Sequence, residues 1–325
     1  MTLLVTVPPR EVILQGGGVQ HVAVRSVSQH HSSPDSTLMS PRLPLTDAHG
    51  HLQAERFDAD REEVIARLIA AGATRLLVPS WSTESSRGAL EIVRANPWMD
   101  AAIGIHPHHA ADEAHERAAL LAGADAPEIV AIGETGIDTK RNFAPIADQV
   151  ANLEAHIEVA VQLGKPLILH CRSAGDADDA QRQLIKTLND SPITSARGRA
   201  AFQDRPPFIL HSASGSAEYI NEGLALGGVV SLSGLVFRPE ERATADWIRS
   251  IPLDRLLTET DAPWLAMPGA PDPNRNEPAN VALTLAWIAE RRDESIELLA
   301  EAISANYDWA FPRSRPRTDG SPRSA

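Results

Sequence analysis

Short apolar runs alternate along most of the chain with longer stretches whose apolar residues recur at helical spacing. The runs fall at residues 43–49, 75–80, 101–106, 129–134, 166–171, 207–212, 228–232 and 255–259. In segments such as LLVPS, IVAIGE, LILHC, FILHS and VVSLS the apolar residues are consecutive rather than alternating. Strands of that kind are buried on both faces, as parallel strands are when helices cover one side and a barrel interior the other. Between them, residues 60–71 end at Gly72, residues 83–95 stop before Pro97, and residues 146–163 end at Gly164, each a helix with its stop signal. Residues 244–250 and 278–292 continue the helical pattern, the last with Val281, Leu285 and Ile288 on one face. Eight such units in about 265 residues predict a single-domain (β/α)8 TIM-type barrel. An open doubly wound sheet would need a glycine-rich phosphate loop after its first strand, and Asp47-Ala48-His49-Gly50-His51 is not one.

The flanks lack this periodicity. Residues 1–44 hold three consecutive glycines, the polar stretch QHHSSPDST and several prolines, and predict a disordered extension to a domain at residues 45–311. Residues 11–15 and 19–27 could pair as a hairpin, but an isolated hairpin is marginal in water. Met39 stands just before the first patterned segment and is an alternative start. The tail, residues 312–325, carries four arginines and predicts a disordered basic end.

Charge and cysteine content narrow the setting. Asp and Glu number 43 against 30 Lys and Arg, a formal −13, which argues against a broad basic surface for duplex nucleic acid. The lone cysteine, Cys171, allows no internal disulfide and fits a reducing cytoplasm. It follows a polar strand-end residue and faces the opposite side of its strand, so inert packing is expected. No apolar stretch approaches the roughly 18 residues of a membrane span.

The polar residues are not scattered. Apolar runs end abruptly in histidine or carboxylate: His49 and His51 after the first, Glu134 in the fourth, His170 in the fifth, His211 in the sixth, and Asp261 beyond the eighth. On a barrel all of these reach the C-terminal rim, where active sites form. Residues two apart on a strand face the same way, so His49 and His51 can present both imidazoles to the mouth. One histidine at a strand end is ordinarily a hydrogen-bonded rim residue; six coincident groups are a different matter. Four imidazoles and two carboxylates suit zinc, manganese or magnesium, and exceed what one tetrahedral ion takes. The simplest arrangement has two divalent ions, one on His49, His51 and Asp261, the other on His170 and His211, with Glu134 bridging. Such a pair lowers the pKa of water to about 7 and engages a phosphate oxygen. Asp261 is then the expected general base.

These residues sit in motifs that resemble the TatD-type metal-dependent deoxyribonucleases, within the amidohydrolase-like barrel group. The motifs are DAHGH at 47–51, GIHPH at 104–108, GETGID at 133–138, His170-Cys171-Arg172, the strand-six histidine with its Ser-Gly-Ser, ETDAP at 259–263 and RNEPA at 275–279. The resemblance runs from about residue 45 to residue 311, with the motifs in order. It implies metal positions at His49, His51, Glu134, His170, His211 and Asp261, and 3′→5′ exonuclease activity on DNA ends, single-stranded ends above all. It also implies that His106 and His108 lie at the substrate phosphate.

Arg172 and Arg275 are candidate phosphate contacts, since a guanidinium fork matches phosphate oxygens in pairs. Arg275 lies in a proline-rich loop and could equally pin that loop through a carboxylate. Where the family usually has Cys-Phe-Ser-Gly after the strand-six histidine, this chain has Ser212-Ala213-Ser214-Gly215, and residues 189–207 make a link long enough to be an insertion at the other end of the barrel. The rival enzyme reading keeps the metal centre and changes the bond, to another ester or amide such as that of an aminoacyl-tRNA. A catalytically silent scaffold is the remaining alternative, and it predicts missing ligands where none is missing.

Overall fold

In the computed structural model, residues 43–174, 177–238 and 245–311 are described. The expectations for the extension up to residue 42, with Met39 and the hairpin, for the tail, and for the start of the 244–250 helix lie outside them. Eight parallel strands run in sequence order: β1 Leu45–Asp47, β2 Ala73–Pro79, β3 Met99–Ile103, β4 Ile129–Asp138, β5 Leu167–Arg172, β6 Phe208–Leu210, β7 Val229–Leu232 and β8 Leu256–Thr258. The ring closes where the Ala48 amide donates to Thr258 O (2.9 Å), the Thr258 hydroxyl donates to Thr46 O (2.8 Å), and Gly50 bridges Ala262. Every predicted run overlaps a strand, and the architecture is the expected (β/α)8 barrel.

The outer helices are α1 Arg61–Ala71, α2 Thr83–Ala95, α3 Arg117–Ala122, α4 Ile146–Leu163, α5 Asp179–Asp190, α6 Ala196–Phe202, α7 Ala217–Ala225, α8 Ala245–Ser250, α9 Val281–Arg292 and α10 Ile296–Ala310. Gly164 ends α4 in the left-handed conformation at φ 63°, where an L side chain is disfavoured. The long link at residues 189–207 contains α6, whose Phe202 is buried; it leads into the N-terminal end of β6, away from the rim that carries the histidines. The strands bury Leu76, Leu77, Ile132, Leu169, Ile209 and Val230, among others, completely or nearly so, as the unbroken apolar runs predict.

β4 differs from the other seven strands in length and shape. Its register shifts between Ile132 and Thr135 opposite β5, and the Glu134 amide reaches past β3 to donate to Ser80 O at 2.8 Å. Gly136 has φ 146°, and a Cβ there would lie 1.9 Å from His170 O, so only glycine lets β4 and β5 pair this closely. The strand then continues to Asp138, carrying two carboxylates to the rim instead of one.

Candidate metal centre

The rim brings the six predicted ligand residues together. His49, from the end of β1, is fully buried, and its Nε2 lies 2.9 Å from Nε2 of His51. His51 Nδ1 lies 3.0 Å from Pro79 O, and a carbonyl can only accept, so Nδ1 carries the proton and the Nε2 lone pair faces the centre. Asp261 Oδ1 stands 3.3 Å from His51 Nε2, 3.8 Å from His49 Nε2 and 3.9 Å from His211 Nε2. It occupies the left-handed region at φ 56°, held by its amide donating to His49 O at 2.8 Å.

Glu134 divides its two oxygens. Oε2 lies 3.4 Å from His49 Nε2 and 3.7 Å from His51 Nε2. Oε1 lies 2.9 Å from His170 Nδ1, 3.5 Å from His106 Nε2 and 3.6 Å from His211 Nε2. Burial alone would raise this carboxyl, but His106, His211 and His170 outweigh it and hold Glu134 well below the usual carboxylate range.

Several residues without an assigned role in the sequence reading organise the ligands. Asp138 Oδ2 meets Nε2 of both His108 (2.7 Å) and His170 (3.1 Å), which turns His170 Nδ1 toward Glu134. Its own position is set by Gln149, whose Oε1 accepts the Asp138 amide, and by the Arg141 amide donating to Oδ1, both at 2.8 Å. Glu259 Oε1 lies 2.9 Å from His211 Nδ1, an ion-pair distance off the hydrogen-bond axis, and accepts the Ser212 amide (2.6 Å) and hydroxyl (2.8 Å). Ser212, where the family usually has cysteine, is therefore part of the support of His211. Asp47 accepts the amide and hydroxyl of Thr260 and the amide of His49, and burial pushes its carboxyl up to about 8 against those bonds. Ser80 receives the Gly104 amide (2.9 Å) and the Ser86 hydroxyl (2.7 Å), tying the ends of β2 and β3 beneath Glu134. Asp138 carries a legible signal, an even spacing of four from Glu134 within one motif; Ser80, Gln149 and Ser212 carry none, since no local pattern marks their partners.

The proposed substrate contacts divide. His106 and His108 stand beside the centre, their rings 4.2 Å apart, with His106 4.3 Å from His170. Burial lowers His106 to about 3, keeping it neutral. A cavity of about 710 Å³ covers the rim, and Arg56, Lys140, Arg141, Arg172 and Arg238 line it together with the histidines. Arg275 does not line it. Its guanidinium forks onto Asp60 at 2.7 and 2.8 Å, meets Glu277 at 3.0 Å and lies over Phe57, so its contacts are those of the loop-pinning alternative. Cys171 is buried, its thiol pushed well above the ordinary range by burial, and it borders the cavity between His170 and Arg172.

The donor set fits divalent cations. Burial lowers His49 to about 4, so it is neutral, and its Nδ1 is buried without a partner. With a proton on Nδ1, two bare lone pairs would face each other at 2.9 Å; a cation between His49 and His51 removes that repulsion. The other triad, Glu134, His170 and His211, also holds its donor atoms within 4.8 Å of one another. Neutral imidazoles with carboxylates suit zinc or manganese, and magnesium where water completes the shell.

Comparison with known proteins agrees with this chemistry. The family profile described as TatD related DNase matches residues 46–312. The 3′-5′ ssDNA/RNA exonuclease TatD of Erwinia billingiae is 34% identical over 276 residues, covering 82% of this chain and 98% of the relative. An uncharacterized metal-dependent hydrolase of Bacillus subtilis, YabD, is 32% identical over 271 residues with the same coverage. The crystal structure of YJJV, a TatD homologue from Escherichia coli K12, superposes with a TM-score of 0.70 at 26% identity, covering 82% of this chain and 97% of that one.

Proposed function

The chain belongs to the TatD-related DNase family of metal-dependent hydrolases acting on ester bonds, and from that premise we propose that it is a 3′→5′ exonuclease that uses two divalent ions to trim unpaired DNA or RNA ends. The observation that carries this reading is the division of Glu134, one oxygen toward His49 and His51, the other toward His170, His106 and His211. A carboxylate so divided is suited to bridging two cations. Bound there, the ions would supply a water of lowered pKa and positive charge at the scissile phosphate.

The chain's own groups do the rest. His49, His51 and Asp261 hold one position, and His170 and His211 the other. His106 and His108 are placed to donate hydrogen bonds to the phosphate. Burial would raise the Asp261 carboxyl, but His51, His211 and His49 outweigh it and keep it lowered, hence ionised and able to accept a proton. Cations at the mouth compensate locally for the −13 overall charge, which suits end-directed binding with little grip along a duplex.

The test is release of mononucleotides from a 5′-labelled single-stranded oligonucleotide with Mg²⁺, Mn²⁺ or Zn²⁺, and its loss with chelator. A ladder shortening from the 3′ end is expected. Cleavage of carboxylic esters or aminoacyl-tRNA without nucleotide release would overturn the nuclease reading while leaving the metal centre intact.

A further inference from the structure

Among the described residues three large apolar side chains are exposed: Phe143 at 65%, Leu298 at 51% and Trp264 at 40%. A single exposed apolar residue needs no explanation, but two of these three are aromatic and stand at the catalytic mouth. Trp264 follows β8, with its ring 4.9 Å from His51 and 5.8 Å from Trp81, which is itself 5.2 Å from His51. Phe143 follows β4, with its ring 4.8 Å from His108. These contacts are T-shaped, at interplanar angles of 71 to 83°, so they do not sandwich either ring between stacked partners.

The two positions are separated by the histidines themselves. Trp264 and Trp81 belong to the arc formed by β8, β1 and β2, and Phe143 to the arc formed by β3, β4 and β5. Glu134, on β4, turns one oxygen toward His49 and His51 and the other toward His170 and His106, so a scissile phosphate held by cations there has an aromatic ring on each arc.

Resting on the exonuclease reading above, we infer that Trp264, with Trp81 packed edge-on beside it, stacks the base of the terminal nucleotide and that Phe143 stacks the base on the other side of the scissile phosphate. The assignment follows from enclosure. Trp81 and Trp264 line the cavity, which needs to admit only the last unit of a strand; Phe143 is outside the lining and more exposed, on the side where the strand must leave for solvent. Stacking is indifferent to base identity and open only to unpaired bases, so it selects single-stranded ends without reading sequence. It also supplies grip that does not depend on positive charge, which a chain of this acidity needs.

Stacking on one aromatic ring contributes about 1–3 kcal/mol per base, roughly a 5- to 150-fold change in affinity. The experiment measures binding of fluorescein-labelled oligonucleotides with nuclease-resistant terminal linkages by anisotropy, and KM with cleavable ones, both on the metal-loaded protein, with three strands: intact, abasic at the 3′ terminus, and abasic at the penultimate position. The wild-type chain should bind each abasic strand about tenfold more weakly than the intact one. Trp264→Ala should lose about tenfold on the intact strand and nothing further on the terminal-abasic strand; Phe143→Ala should show the same pattern with the penultimate-abasic strand. Trp264→Leu serves if the alanine variant does not fold, and the wild-type comparison needs no variant at all. Equal losses on all three substrates, or no dependence on the bases, overturn the inference. Nucleotide release without base dependence leaves the nuclease reading standing and removes this one; base-dependent binding without nucleotide release does the reverse.

Discussion

The two halves of the rim solve the same problem with opposite electrostatics. On the side of β8, β1 and β2, backbone groups do the orienting: Pro79 O fixes the His51 tautomer and His49 O holds Asp261. His49 there is a neutral imidazole with a buried, unpartnered nitrogen. On the side of β3, β4 and β5, a side-chain carboxylate does it: Asp138 holds His108 and His170 together. Burial would lower His170, but Asp138 and Glu134 outweigh it and its pKa is raised. The first half sets two imidazole nitrogens 2.9 Å apart, a spacing that a cation would suit. The second carries its own counter-charge, Asp138, behind His108 and His170. Glu134 is where the halves meet, and its variants test whether they are one centre.

The largest effect is expected there. Glu134→Gln keeps the shape and removes the charge that both halves share, and kcat should fall roughly 10³-fold or more, a loss on the scale of deleting a principal electrostatic stabiliser of the reacting group. Bound metal should fall from two ions per chain, read by elemental analysis, with the thermal midpoint little changed. A variant that keeps both ions and most of its activity would break the picture of a shared carboxylate.

The next test asks whether the second half depends on a neutral imidazole beneath it. His156, on α4, accepts the Ile105 amide at Nε2 (3.0 Å) and lies 2.7 Å from Asn152 O through Nδ1; burial lowers it to about 4. Above pH 6.5 it is neutral in folded and unfolded chains alike and contributes no pH dependence. As pH falls from 6.5 toward about 4 the unfolded chain takes the proton first, so stability is lost in that window, by up to about 3 kcal/mol. Urea midpoints at pH 7, 5.5 and 4.5 should show a shallower acid loss in His156→Gln than in the wild type; parallel profiles would remove His156 as the cause.

Asp138→Asn should separate the halves. Loss of an outer carboxylate behind a ligating histidine typically lowers metal affinity or activity 10- to 100-fold. The decrease should fall on the His170 side, with one ion retained at His49, His51 and Asp261. Loss of both ions together would mean that the centre assembles as a single unit.

The smallest effect belongs to Arg275, which ties the loop after β8 to Asp60 before α1. Arg275→Ala should lower stability by about 1 kcal/mol, the scale of a partly exposed ion pair. A tenfold rise in KM with an unchanged urea midpoint would instead return Arg275 to the phosphate.

How far the sequence carries can be judged from particular elements. The α2 and α4 boundaries match the expectation because each begins and ends on local signals, Ser82 capping α2 and Gly164 closing α4. The apolar run of β4 stops at Glu134 while the strand runs to Asp138, because Thr135, Gly136 and Asp138 interrupt the pattern that marks a strand. The sequence pattern does not single out helices α3, α5, α6, α7 and α10. α3 is only six residues long, and α5 and α7 follow loops whose polar residues mask the turn from strand to helix.

The order of strands, the barrel and the gathering of six histidine and carboxylate side chains at one rim follow from local pattern, since burial on both faces and the even spacing along strands are written in consecutive residues. Which nitrogen of each histidine faces the centre, how Glu134 divides its oxygens, and that Asp138, Glu259 and Ser80 hold the ligands were decided only by the tertiary structure. Those are contacts between residues far apart in the sequence, His49 with Glu134 and Ser212 with Glu259 among them. Hydrogen bonds of that kind depend on distances of a few tenths of an ångström, which closure of the barrel sets and no run of neighbouring residues encodes.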